Sequence, residues 1–191
     1  MKFPALTKRA LSGTEDITGS GLRVMDYWAW AHSVIEDNTE RGIFAEFLLH
    51  SALNAADSVR VNWAECDVLS PEGIMVEVKS SGYLQSSGQE KLSAIRFSIK
   101  PSRSSDVYVF CLHDHTQQES LNILNLEQWT FFVLKTSVLN DCAPKQKTIT
   151  IKRLKSLGAA QTDYSGLRAA VIQVAKNQTK IRSDKFCVNA N

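Results

Sequence analysis

The chain has 191 residues, 43% hydrophobic and 22% charged, with a formal net charge of +2, the profile of one soluble globular domain with a sizeable core. No apolar run approaches the ~20 residues of a membrane span, and no apolar stretch of a signal peptide follows Lys2, Lys8 and Arg9. Four scattered cysteines (Cys66, Cys111, Cys142, Cys187) form neither a disulfide framework nor a zinc knuckle, so a cytoplasmic protein with no membrane partner is expected.

In chain order, residues 1–22 read as a loose leader, because Ser12 to Asp16 and Gly19-Ser20-Gly21 break any periodicity. Val24 to about Asp37 is predicted as a helix. Its Trp28 and Trp30 are expected in the core, the alternative being stacking on unpaired bases. A second helix over Arg41–Leu53 is apolar nearly all round, the mark of a buried helix. Val59–Leu69 and Ile74–Ser80 then read as an antiparallel pair joined by the Pro71-Glu72-Gly73 turn. A strand is expected near Ala94–Lys100. The near-continuous apolar runs Asp106–Leu112 and Trp129–Leu134 imply a sheet covered on both faces. Loops are expected at 102–105 and from His113 to Ser120, and an edge strand at Thr148–Lys152. The last helix, Asp163 to about Lys176, carries Leu167, Ala170, Val171 and Val174 at i, i+3, i+4, i+7, with a fraying tail beyond. The expected fold class is α/β, a central mixed β-sheet flanked by helices. Its core spans 23–158, and a basic helix and tail (159–191) pack on or extend the same domain.

The chemistry concentrates on the predicted hairpin. Alternation puts Ile74, Val76 and Val78 on one face of the second strand, and Glu77 and Lys79 on the other. If the link holds an odd number of residues, Asp67 falls opposite Glu77, with Cβ atoms ~5 Å apart, where like charges destabilise. A hard divalent cation accounts for two carboxylates and a lysine held together: Mg²⁺ takes oxygen ligands, often one or two carboxylates with a substrate phosphate. Such an ion polarises a phosphoryl oxygen and acidifies water, while an ammonium orients or deprotonates the attacking water or stabilises developing charge. The plain alternative is a surface Glu77–Lys79 salt bridge, worth little. Upstream, Glu46 sits between the projections of Ile43, His50 and Leu53, where a buried carboxylate needs a partner or a metal. An i,i+4 pairing with His50, or a backbone hydrogen bond, is the alternative.

Taken together, an acid on a buried helix, Trp63-x-x-x-Asp67, and Gly73-Ile-Met-Val-Glu77-Val-Lys79-Ser-Ser81 resemble the PD-(D/E)XK nuclease superfamily with its restriction-endonuclease-like fold. The resemblance is best over about Asn38–Lys100 and weaker to about Gly158, and the stretches RGIFAEFLLHSALN, W-x-x-x-D and EVKSSGYLQ are similar to an uncharacterised bacterial group within that superfamily. Cys66 stands where the superfamily often has proline. The resemblance implies Glu46 as the helix acid, Asp67 and Glu77 as metal ligands, the Val78 carbonyl as a third, and Lys79 as the catalytic lysine. It further implies Mg²⁺ with Mn²⁺ as substitute, and a DNA endonuclease that often works as a homodimer or with a partner subunit. The competing reading is a catalytically silent or partner-dependent nucleic-acid-binding or scaffold protein on the same fold.

Around this set, Gln85 and Ser80 are candidate contacts to substrate or water, with surface or strand-end roles as alternatives, and Gln89 reads as a surface residue. Charge is divided unevenly. Residues 1–144 carry 12 Lys/Arg against 18 Asp/Glu, a balance of −6, and residues 145–191 carry 10 against 2, a balance of +8. Lys152, Arg153 and Lys155 in the basic part are candidate nucleic-acid contacts, since phosphate backbones are bound by such clusters. A solvated tail that balances the acidic body is the alternative. Cys111, His113 and His115 alternate as a zinc set would, but no fourth ligand stands at a recognisable spacing.

Overall fold

A computed structural model describes residues 9–55, 59–60, 64–101 and 103–177. Within the stretch expected to be a loose leader, β1 (Asp16–Ile17) and β2 (Leu22–Arg23) pair as a small antiparallel hairpin. Gly19 and Gly21, which look like breakers in the sequence, are its turn residues, at φ of 84° and 72° where a side chain is disfavoured.

Helix α1 (Val24–His32) follows directly and is shorter than expected. Asp37 ends the chance of a longer helix. It is the N-cap of α2 (Asn38–Ala52), held extended at φ −62° and ψ 146° with its carboxylate accepting the Thr39 amide at 2.8 Å. The expectation that Trp28 and Trp30 enter the core is wrong: no α1 residue is buried, and Trp30 is 84% exposed. Helix α2 buries Arg41, Ala45, Leu48 and Leu49 but leaves Phe47 60% exposed, so it is covered on one side and not all round.

Strand β3 is only Val68–Leu69, a short remnant of the strand predicted over 59–69, and Trp63 lies outside the described residues. It pairs antiparallel with β4 (Met75–Gly82) through a turn in which Gly73, at φ 80°, donates its amide to the Ser70 carbonyl. The strand expected over 94–100 shortens to β5 (Phe97–Ser98). Strand β6 (Val107–His113) is buried at every residue, and β7 (Trp129–Lys135) runs straight into α3 (Thr136–Cys142). Strand β8 (Thr148–Ile149) pairs with β5 in a separate two-stranded sheet and is not an edge of the main one. Thr150 then caps α4 (Ile151–Ser156), its hydroxyl accepting the Arg153 amide, so the segment predicted as strand to Lys152 turns helical. Strand β9 (Ala160–Thr162) joins the main sheet, and α5 (Leu167–Lys176) starts four residues later than expected. The delay has a local cause: Asp163 folds back, its carboxylate accepting the Gly166 amide and the Ser165 hydroxyl.

The main sheet is mixed, five-stranded and ordered β3-β4-β6-β7-β9, with β4 and β6 parallel and the other neighbours antiparallel. The period-2 alternation sorts its side chains into two layers. Val76, Val78, Val107, Val109, Cys111, Phe131 and Val133 pack toward α2 and α5. Tyr108, Phe110, Leu112, Phe132 and Leu134 pack toward α3, α4 and the β5–β8 pair. The chain is therefore α/β with a mixed sheet between helices. Among the described residues, no helix is long and apolar enough to cross a membrane. Phe131 is fully buried between the Trp129 and Tyr164 rings. Phe131→Ala is expected to cost ~3–5 kcal/mol, read as a lower urea midpoint at unchanged slope.

Candidate active site

The parallel pairing of β4 and β6 fixes where Glu77 and Lys79 stand. Glu77 lies beside Tyr108 and Lys79 beside Phe110, on the α3/α4 side of the sheet. Strand β3 stops at Val68, so among the described residues the flank of β4 beyond it has no neighbouring strand. Asp67 sits at that step. Extending the ladder across the five-residue link puts it opposite Glu77, as an odd link requires. Its amide nonetheless donates to the Val76 carbonyl at 3.1 Å, a one-residue offset of the kind a β-bulge makes, which re-aims the side chain. The Asp67 carboxylate then accepts the Val78 amide at 2.7 Å.

Asp67, Glu77 and Lys79 converge here. The Lys79 ammonium lies 2.7 Å from Glu77 Oε1 and 3.9 Å from Asp67 Oδ2, so one cation serves two carboxylates. Glu77 is 7% exposed and would be costly without that partner. Lys100, which sequence reasoning missed, brings a second ammonium within 3.4 Å of Glu77 Oε1, on a side chain 70% exposed. Its signal was present: Ile95, Phe97 and Ile99 face the core, so Arg96, Ser98 and Lys100 must face out. Burial foremost pushes the Asp67 carboxyl above the usual range, and the Glu77 charge adds to this; the Val78 amide and Lys79 pull the other way. Tyr108 is pushed up to about 12, first by burial and then by the Glu77 charge, and stays a neutral phenol.

Glu46 is brought to the other side of Asp67. Both line a cleft of ≈ 500 Å³ with Ile43, Phe47, Arg60 and Cys66, a cleft that Glu77 and Lys79 do not line. Arg60, also unforeseen, grips Glu46 with two nitrogens, Nε at 2.5 Å and Nη2 at 3.1 Å. This fork-on-carboxylate pairing is the strong form of the contact, and it raises the Arg60 pKa. It links residues 14 apart, one on α2 and the other inside the run expected as a strand from Val59.

The donors around Asp67 suit a hard cation. Two carboxylates meet, and because a strand residue sends its amide and carbonyl to the same edge, the Val78 carbonyl faces the side where Asp67 takes the amide. Mg²⁺ characteristically uses one or two carboxylates and completes its shell with water. Among the described residues, no three His, Cys, Asp or Glu side chains are grouped to hold a metal by themselves. Any ion here thus draws on the backbone and water as well. Cys111 is buried in the core, with its thiol pushed up by that burial, and His113 is also enclosed.

The other expected contacts stand apart. The pleat turns Ser80 to the α2 side, away from Lys79, with its hydroxyl buried. Gln85 braces the loop after β4, donating to the Gly82 carbonyl at 3.0 Å and the Ser93 hydroxyl at 3.1 Å. Gln89 accepts the Gln85 amide and donates to the Tyr83 and Lys91 carbonyls, so it organises this loop and is no idle surface residue. On α4, Arg153 turns inward to the Cys142 carbonyl, Lys155 sits 5.8 Å over the Phe132 ring, and Lys152 is exposed. Compared with protein-family models and with curated protein sequences, the chain matches none.

Proposed function

We propose that the protein is a metal-dependent nuclease of the restriction-endonuclease-like fold that hydrolyses phosphodiester bonds, with DNA the favoured substrate and endonucleolytic cleavage the favoured mode. One observation carries the reading: Asp67 and Glu77 share the Lys79 ammonium at the strand step, beside the Val78 backbone. Two acids gathered round one lysine, one of them buried, are poor design for stability alone. They are the donor set that Mg²⁺ needs, with a cation placed to orient an attacking water.

On this reading Asp67, Glu77 and the Val78 carbonyl hold the ion, and Glu46 acts as a further ligand or through water. Bound there, Mg²⁺ or Mn²⁺ would polarise a phosphoryl oxygen and lower the pKa of a water. Lys79 orients or deprotonates the nucleophile. Lys152, exposed on α4, and the other exposed lysines after 144 supply phosphate contacts. The second reading, a silent or partner-dependent protein, draws on the Arg60 fork, which satisfies Glu46 without any metal.

The test incubates the protein with supercoiled plasmid, linear duplex, single-stranded DNA and RNA in Mg²⁺ or Mn²⁺. Cleavage abolished by EDTA and by Asp67→Ala is the expected result. No cleavage of any substrate, with no Mn²⁺ binding by calorimetry, rejects the nuclease. Binding without cleavage shifts the assignment to partner dependence.

A further inference from the structure

The least economical feature of the fold is α1. It carries Met25, Tyr27, Trp28 and Trp30 in nine residues and buries none of them. A helix this short does not hold in water by propensity, and most helical stability comes from packing an apolar face. Its Tyr27 and Trp30, at i and i+3, are exposed, and so is Val34 just past its end. On its other flank a groove of ≈ 500 Å³ opens against α2, lined by Trp28, His32, Ile35, Ile43, Phe44 and Phe47. The His32–Glu40 pair, at 3.1 Å, ties the two helices across it. Exposed aromatics beside an apolar groove mark an interaction site.

The charge around it decides what kind of partner fits. Residues 9–40 contain Glu15, Asp16, Asp26, Glu36, Asp37 and Glu40 against only Arg9 and Arg23. A polyanion is repelled by such a rim, so base stacking on these aromatics is disfavoured despite their shape. A positively charged protein segment with apolar anchors is attracted, and complementary charge of this kind steers encounter and register. We propose that α1 and the α1–α2 groove form the docking surface for a partner protein that presents a basic amphipathic segment. Aromatic side chains are the residues that dominate such interfaces. Ile43 and Phe47 line both this groove and the cleft that holds Glu46 and Asp67. A docked partner therefore borders the candidate active site. The surface stands on its own observations and survives even if the cleft proves inert.

The experiment measures fluorescence anisotropy of three labelled probes with the full chain: a lysine/leucine amphipathic peptide, its glutamate/leucine counterpart, and an oligothymidylate. Trp30→Ser/Phe47→Ser removes two exposed side chains and leaves the core intact, which circular dichroism checks. Leu124→Ser, at an exposed leucine outside the groove, is the control. The expected result is binding of the basic peptide that Trp30→Ser/Phe47→Ser weakens ~10-fold or more and Leu124→Ser leaves unchanged. Equal binding of the acidic peptide, preferred binding of the oligonucleotide, or insensitivity to Trp30→Ser/Phe47→Ser overturns the proposal. Sedimentation covers the remaining occupant: self-association of the wild type that Trp30→Ser/Phe47→Ser abolishes would assign the surface to a second copy and overturn it too.

Discussion

Lys79→Ala is expected to lower Mg²⁺-dependent cleavage by about 10²–10⁴-fold, the range for removing a positioned proton-transfer group or a preorganised charge. Its ammonium is the group that touches both Asp67 and Glu77. Losing it removes the positive charge that orients the nucleophile and leaves two carboxylates facing each other. Lys100→Ala should cost far less than Lys79→Ala. Lys100 reaches Glu77 from a side chain mostly in water and approaches only one carboxylate oxygen. Lys79→Arg separates the two roles of the ammonium. A guanidinium keeps the charge but does not give up a proton near neutral pH. Activity restored by arginine means that charge was the requirement. Activity still lost, with Mn²⁺ affinity intact, means that Lys79 exchanges a proton with the nucleophile. A wild-type rate in Lys79→Ala would remove the lysine from the reaction altogether.

What the sequence made legible follows the range of the interactions involved. Strands β6 and β7 were readable because each buries both faces, so their apolarity is nearly continuous. The Asp67–Glu77–Lys79 set was readable because a tight turn and period-2 alternation determine who faces whom within a dozen residues. Strand β9 was not readable: Ala160-Gln161-Thr162 carries no pattern, and pairing with Phe131 to Val133 alone makes it a strand. The tryptophans of α1 misled for a related reason. Aromatic bulk on a helix predicts burial only if this chain supplies the covering surface. At the site, alternation turns Lys100 outward, but Arg60 on Glu46 and Lys100 on Glu77 meet their carboxylates only because separate segments of the chain come together, so nothing local names either partner. The charge run Lys152-Arg153-x-Lys155 looks uniform in sequence, yet the fold sorts it. Arg153 bonds a backbone carbonyl, Lys155 is exposed but lies over a ring, and Lys152 is exposed.

Asp67→Asn is expected to make the metal-free protein more stable, by ~0.5–1 kcal/mol at neutral pH, the scale common when a function-bound residue is relieved. The native fold holds the Asp67 carboxyl above its ordinary value, chiefly by burial, so the folded state binds that proton more tightly than the unfolded chain does. Stability from this group is therefore fully present below the unfolded pKa, about 4 for aspartate. It is lost as pH rises through the raised folded value and does not return at higher pH. Asparagine is neutral throughout and keeps a carbonyl oxygen for the Val78 amide, which Asp67 accepts at 2.7 Å. The attraction to Lys79 that it gives up acts across 3.9 Å, and Lys79 retains Glu77 at 2.7 Å. In EDTA the Asp67→Asn Tm should therefore exceed that of the wild type at pH 7–8, with the gap closing as pH falls toward 4. Mg²⁺ should reverse the order. A ligand at 100 times its Kd adds ~2.7 kcal/mol to the state that binds it, and on the proposed reading only the chain with both carboxylates gains it. If Asp67→Asn melts below the wild type in EDTA at every pH, Asp67 holds the fold together and the strain that argues for a cation at the β3–β4 step is absent. If the order inverts with Mg²⁺, the same carboxylate that weakens the apo fold is the one that the ion rewards.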